Sequence, residues 1–171
     1  MPELDRPPRL VRPTVVVRAS FLAGERADRL AEGATDDWSR TLDDAARDFD
    51  AFVARVGAVR RRWGVPCSTF WYVSGEHYVG TLIIRHRLTP ELAEAGGHIG
   101  YHVVTPWRRQ GHATAMLAEG IAECRRLGLE RVLLTCAAGN EPSRRVIQAN
   151  GGVPDGRRRG GDRFWIAVRP Q

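Results

Sequence analysis

Apolar residues recur along this chain with two alternating periods, and each change of period marks a boundary. Leu10-Val11 and, after Pro13, Thr14-Val15-Val16-Val17 are β-branched and apolar. They predict a short edge strand near Leu10 that joins a helix through Phe21-Leu22 to Leu30. Asp36-Asp37-Trp38-Ser39 reads as a loop or a helix start. From Leu42 to Trp63, Ala46, Phe49, Phe52, Val53, Val56 and Val59 keep helical spacing, and Gly64-Val65-Pro66 ends the run. The period then falls to two. Ser68 to Val73 predicts a strand, Ser74-Gly75-Glu76-His77 a turn, and Tyr78 to His86 an antiparallel return strand. Leu88 to Ala95 is a short helix or loop closed by Gly96-Gly97. His98 to Val104 is a further strand, stopped by Pro106 because proline cannot donate to a ladder.

The second half is more regular. From Gly111, apolar positions at Met116, Leu117, Gly120, Ile121, Cys124 and Leu127 form a one-sided helix with Gly128 as its stop. A strand from Arg131 to Cys136 follows, then a helix from Glu141 to Ala149 ended by Asn150-Gly151-Gly152. Arg157 to Asp162 reads as a polar turn and Arg163 to Val168 as the last strand. The order predicts an α/β fold with a mixed central sheet of about six to seven strands flanked by helices and a right-handed crossover in its second half. We expect one domain over 1–171: an N-terminal strand and helices (1–66), antiparallel strands (67–104), a strand–helix core (105–153) and a C-terminal strand (154–171).

Composition narrows the chemistry. At 171 residues, 43% hydrophobic and 27% charged, the chain suits one compact domain. No apolar run reaches the roughly 20 residues that span a bilayer, so no membrane partner is expected. The first residues lack a secretory layout, which makes a cytoplasmic address the default. Cys67, Cys124 and Cys136 form neither a Cys-x-x-Cys pair nor a disulfide framework, and Cys124 and Cys136 read as buried thiols. The net charge of +6 raises a nucleic-acid partner as one reading. The sequence has no lysine, however, and its arginines are dispersed, which suits an anionic cofactor as well. Without lysine, a Walker-type phosphate loop and a pyridoxal-phosphate Schiff base are excluded. His98 and His102 lie four residues apart on a strand, roughly 13 Å, too far to share an ion, so no metal is expected.

The chemistry concentrates between Tyr101 and Leu117, a strand that leads through a basic turn into a long helix. A helix N-terminus presents unpaired N–H groups and the positive end of the macrodipole. Gly111 and Ala113 leave room for an anion there, Arg108 and Arg109 add charge, and a pyrophosphate is the natural guest. Arg108-Arg109-Gln110-Gly111-His112-Ala113 resembles the Arg/Gln-x-x-Gly-x-Gly/Ala signature of the GNAT superfamily of acyl-CoA N-acyltransferases. Thr135 to Ser143, with Asn140, resembles that family's fifth strand and Asn-x-x-Ser/Ala helix start, and Arg144 to Gly152 the close of that helix.

The resemblance implies an acetyl-CoA-dependent N-acetyltransferase, with acetyl-CoA as co-substrate and a primary amine as acceptor. It implies that backbone groups of Tyr101, His102 and Val103 pair with the pantetheine arm, and that N–H groups from Arg109 through Gln110, Gly111, His112 and Ala113 to Thr114 hold the pyrophosphate. Asn140 would hydrogen-bond the pantetheine with Ser143 nearby. His98 is the first candidate for general base, with Tyr101 and His102 as alternatives. Two departures stand out. Pro106 falls one position later than usual, and Ile147 stands where many members carry a tyrosine that protonates the leaving thiolate. That second departure motivates an alternative reading, a non-catalytic acyl-CoA-binding or sensing module. The acceptor's identity is open, and a homodimer, common among relatives, is compatible with the sequence.

Overall fold

The computed structural model describes residues 2–33 and 35–168. Strand β1 (Arg9–Val11) pairs antiparallel with β3 (Val65–Ser74), which pairs with β4 (His77–Arg85), which pairs with β5 (Ile99–Val103). A short β2 (Arg60–Arg62) pairs with the start of β3. A second sheet has the order β6 (Arg131–Cys136), β8 (Gly161–Ala167), β7 (Val153–Arg158). Helices α1 (Arg18–Glu32), α2 (Asp36–Arg47) and α3 (Phe49–Gly57) precede the strands. Helix α4 (Pro90–Glu94) joins β4 to β5, α5 (His112–Arg126) joins β5 to β6, and α6 (Glu141–Ala149) joins β6 to β7. The α/β fold and its helical flanks are as expected. Among the described residues eight strands form, close to the expected six to seven, and they are split into two sheets with every ladder antiparallel.

Three local readings are corrected. The predicted helix from Leu42 to Trp63 breaks at Asp48, whose side chain caps α3 by accepting from the Ala51 N–H at 3.0 Å. Arg60-Arg61-Arg62, read as a helix end, is a strand: Trp63 and Gly64 both take positive φ (52° and 78°) and fold it back onto Val65. Most of the expected Arg157–Asp162 turn belongs to β7 and β8, with only Arg159 and Gly160 between them. Pro154 and Gly156 erase the alternation that would have announced β7, and the strand lies fully on the surface.

The two sheets touch at one seam. The His98 N–H donates to the Leu133 carbonyl at 2.7 Å, and the Leu133 N–H donates to His98 Nδ1 at 2.9 Å. Gly97 sits there at φ 63°, where a Cβ would come within 2.3 Å of the Leu133 oxygen. Beyond this point β5 and β6 form no ladder, so a cleft opens between their edges. The core on one face is aromatic: Phe21 stacks on Trp71 (centroids 4.7 Å apart) and meets Tyr78, Phe49 and Phe52. On the opposite face α5 lies against β4, with Gly120 over Leu82. Among the described residues no helix is long and apolar enough to cross a membrane.

Candidate active site

Strand β5 separates two surfaces and offers its own edge to the cleft. The Arg85 N–H donates to the His98 carbonyl and the Val104 N–H to the Val79 carbonyl, so the His98 carbonyl and the backbone of Gly100 and His102 turn toward β4. The N–H and C=O of Tyr101 and the N–H of Val103 therefore point into the cleft, whereas the Val103 carbonyl accepts from Arg108 Nε at 2.7 Å. This corrects the expectation for His102, whose backbone belongs to the ladder.

At the end of β5, a 3-10 turn (Thr105–Trp107) leads to Arg109 at φ 62° and Gly111 at φ 82°. Gly111 is the N-cap of α5 and gives it no side-chain hydrogen bond, whereas Thr35, Asp48, Thr89 and Asn140 cap α2, α3, α4 and α6. The first-turn N–H groups of α5 are thus open, and nothing lies within 4 Å of where a Gly111 Cβ would stand. The residues fit a diphosphate. Arg109 is exposed beside this turn, but Arg108 is not available to it. Its guanidinium binds Asp28 (3.2 Å) and Glu32 on α1. Arg109 and the helix end bring positive charge to the cradle. His112 packs edge-on against Tyr72 and Trp107, and burial lowers its pKa. Only its backbone, with those of Ala113 and Thr114, faces the turn. Gln110 is half-buried beside it.

Across the cleft, Asn140 Oδ1 accepts from the Ser143 N–H at 3.3 Å, and Ser143 Oγ shares a hydrogen bond of 2.9 Å with the Tyr101 hydroxyl. Burial raises the Tyr101 pKa, the Ser143 contact opposes that rise, and nearby Cys136 adds to it. The phenol keeps its proton at neutral pH and is a donor rather than a base. Ile147, one turn further along α6, is fully buried and packs against Gly152.

The other face of β5 carries His102. Its Nε2 lies 3.0 Å from Glu25 Oε1, and the Tyr78 hydroxyl donates to the same oxygen at 2.5 Å. Burial alone would lower the His102 pKa, but the hydrogen bond to Glu25 and the charges of Glu25 and Asp28 outweigh it, and the net shift is upward. His98 is different. It is buried at the seam with Nδ1 committed to Leu133, and burial first, then Arg131 and Arg85, lowers its pKa to about 4. It serves the sheet junction, with its Nδ1 already engaged by the Leu133 N–H.

That placement has a measurable consequence. The unfolded chain binds a proton at His98 near the ordinary value of 6.5 while the folded chain resists it, so stability is complete above 6.5 and declines as pH falls toward 4. The loss is about 3 kcal/mol at pH 4. Urea unfolding of His98→Gln should show a shallower decline over this range than the parent.

Glu25 and Asp28 were missed by sequence reasoning. The signal was present: the apolar stripe of α1 from Phe21 and Leu22 continues at i+4 and i+7 onto Glu25 and Asp28, which are only 1% and 8% exposed. Their oxygens and a His102 nitrogen lie within 4.8 Å of one another. Tyr78 and His102 share one oxygen of Glu25. The two oxygens of Asp28 are taken, one by the Thr105 N–H and hydroxyl, the other by Arg108. This is a hydrogen-bonded network that holds α1 to β4 and β5. It borders a cavity of about 850 Å³ between α1, α2, α3 and the sheet, which His102 and Thr81 also line.

The model of the family described as "Acetyltransferase (GNAT) family" matches residues 28–151. No curated protein sequence matches the chain. Among solved structures it is similar to RimJ of Mycobacterium smegmatis in complex with CoA-disulfide, at 23% identity over 97% of this chain and 87% of that one, with TM-score 0.63. It is similar to the Salmonella typhimurium acetyl transferase that modifies the N-terminal serine of 50S subunit protein L7/L12, at 14% identity over 98% of each chain and TM-score 0.62. The microcin C7 self-immunity acetyltransferase MccE, in complex with acetyl-CoA and AMP, has 11% identity over 95% and 93% of the two chains and TM-score 0.59. At these identities the structural likenesses speak for the fold. The family match takes in the seam, the open strand edge, the Gly111 turn and the Asn140 cap, and by it the chain belongs to the acetyltransferase (GNAT) family, as an acetyl-CoA-dependent N-acetyltransferase.

Proposed function

We propose that the acceptor amine enters through the α1–α3 cavity and is deprotonated by His102, while acetyl-CoA lies in the cleft on the opposite side of β5. The observation that carries this reading is the adjacency of His102 and Tyr101 on one strand. Neighbouring strand residues point to opposite faces, so a base and a proton donor flank the same open edge. Bound acetyl-CoA supplies an acyl carbon already activated as a thioester. Tyr101 and Val103 backbone groups hold its arm and, through N–H donation, stabilise charge on the reacting carbonyl. The α5 N-terminus with Arg109 holds the pyrophosphate, and Asn140 orients the pantetheine. His102 accepts the ammonium proton, with Glu25 fixing the ring and stabilising the imidazolium. The Tyr101–Ser143 hydroxyl pair stands one helical turn from Ile147 and supplies the leaving sulfur with a proton in place of the absent tyrosine.

The measurement that tests this is release of free thiol from acetyl-CoA across a panel of small amines, amino acids and peptides. Turnover of at least one amine class is expected, with the acetyl group recovered on nitrogen. Tight acetyl-CoA binding with no turnover on any amine would return the sensing module to first place.

A further inference from the structure

The cavity beside His102 is electrically divided, and the division runs along the sheet. Thr81, Ile83 and Arg85 share one face of β4. Their cross-strand partners place His102 beside Thr81 at one end, and Cys67 with Arg60 beside Arg85 at the other. At the His102 end α1 contributes Glu25, Asp28 and Glu32 together with Arg29, and α2 adds Asp37 and Asp44 to the cavity wall. At the far end Arg55 from α3, Arg60 and Arg62 from β2, and Arg85 from β4 line the same cavity. Among the described residues none of these four has a carboxylate within 4.0 Å, whereas Arg108, Arg144, Arg157 and Arg163 are each paired. Trp63 lies between two of them, with the guanidinium carbons of Arg62 and Arg85 at 4.2 and 4.5 Å from its ring centroid. Arg85 Nη1 donates to the Gly96 and Gly97 carbonyls at 3.0 and 3.2 Å, while its Nε is buried with no hydrogen-bond partner among the described residues.

Arg55 and Arg62 are exposed and Arg60 is half-buried, yet all three line one concave wall, and burial together with Arg62 and Arg55 already lowers the Arg60 pKa. With no carboxylate paired to these arginines, an anion can engage them through charge-assisted hydrogen bonds. Resting on the reading that the acceptor enters by this cavity, we propose that the acceptor is bipolar: a primary amine at His102 and Glu25, and a carboxylate or phosphate held by Arg55, Arg60, Arg62 and Arg85, the two ends set apart by about 13 Å, four strand residues at roughly 3.3 Å each. An extended peptide with an acidic residue about three positions from its N-terminus meets this description, and so does a long ω-amino acid.

Full-length enzyme and acetyl-CoA are assayed for thiol release with two probe series. One is a tetrapeptide amide with aspartate, alanine or lysine at its last position. The other is straight-chain ω-amino carboxylates of increasing length against the matching alkylamines. The anionic member should exceed its neutral match by about tenfold in kcat/KM, mostly through KM, and the lysine peptide should be poorest. The series in which the preference emerges identifies peptide or small molecule as the source. In Arg60→Gln/Arg62→Gln the ratio of anionic to neutral acceptor should fall toward one. Equal use of anionic and neutral acceptors by the parent overturns the proposal, as does an undiminished ratio in the double variant. Calorimetric binding of the same probes to the enzyme–CoA complex separates the two readings. Selective binding of the anionic probes without thiol release upholds the acceptor class and removes the transfer mechanism. Thiol release without selectivity does the reverse.

Discussion

Gly111→Asp should abolish acetyl-CoA binding, with affinity falling at least about a hundredfold by calorimetry while the fold survives. Two effects act together. The residue sits at φ 82°, where an L side chain is strained at a cost of about 1 kcal/mol. The new carboxylate also stands at the open mouth of α5, where it caps the same N–H groups a diphosphate needs and repels it at close range. Gly111→Ala separates the terms. Nothing lies within 4 Å of its Cβ, so it carries the backbone strain without the charge and should lose only several-fold. If the aspartate variant bound acetyl-CoA as tightly as the parent, the pyrophosphate would have to lie elsewhere.

Removal of the imidazole should have the second large effect. His102→Ala is expected to lower kcat by roughly 10²–10⁴, the usual range for a positioned general base, with acetyl-CoA affinity retained. The pH dependence tests the role directly. His102 accepts a proton only when neutral, and its pKa is raised above 6.5 because Glu25 and Asp28 outweigh burial. The rate should therefore climb with pH through a midpoint above the ordinary histidine value and then level. Glu25→Gln removes the largest raising influence and leaves burial unopposed, so the midpoint should move down and kcat should fall less than in His102→Ala. The same pair contributes to stability with the opposite sense from His98. Its contribution is present at low pH and lost as pH rises through the folded-state pKa of His102. A rate that does not change with pH in this window, or a midpoint that ignores Glu25→Gln, would transfer the base to another residue.

Gly97 lets the two sheets approach at His98 and Leu133, and beyond that seam β5 and β6 form no ladder. Arg108 shows why the cavity and the cleft are linked. It ties the carbonyl of Val103, at the cleft edge, to Asp28 and Glu32 on the wall of the acceptor cavity. A motif arginine that reads as a phosphate ligand is therefore a strut between the two halves of the site.

Much of this was legible in the order of residues. The boundaries of α6 and β6 coincide with the predicted ones, and α5 opens at the turn that glycine and the small residues announce, because local periodicity and capping chemistry act over a few residues. The lack of lysine excluded two chemistries, and the resemblance of the Gly111 and Asn140 segments to the GNAT signature implied the class of chemistry without any knowledge of contacts. Side-chain roles were decided by the tertiary structure. His98 immediately precedes β5 and His102 lies within it, yet one is held neutral by the seam and the other is charged more readily by Glu25, which lies 77 positions away in the chain. Arg60-Arg61-Arg62 became a strand because a two-residue turn folded it onto β3, and only then did Arg60 and Arg62 join Arg85 and Arg55 around one cavity. Local pattern sets which elements form. Burial and long-range partners set what each ionisable group can do, because desolvation and Coulomb terms depend on distances that sequence neighbours do not determine.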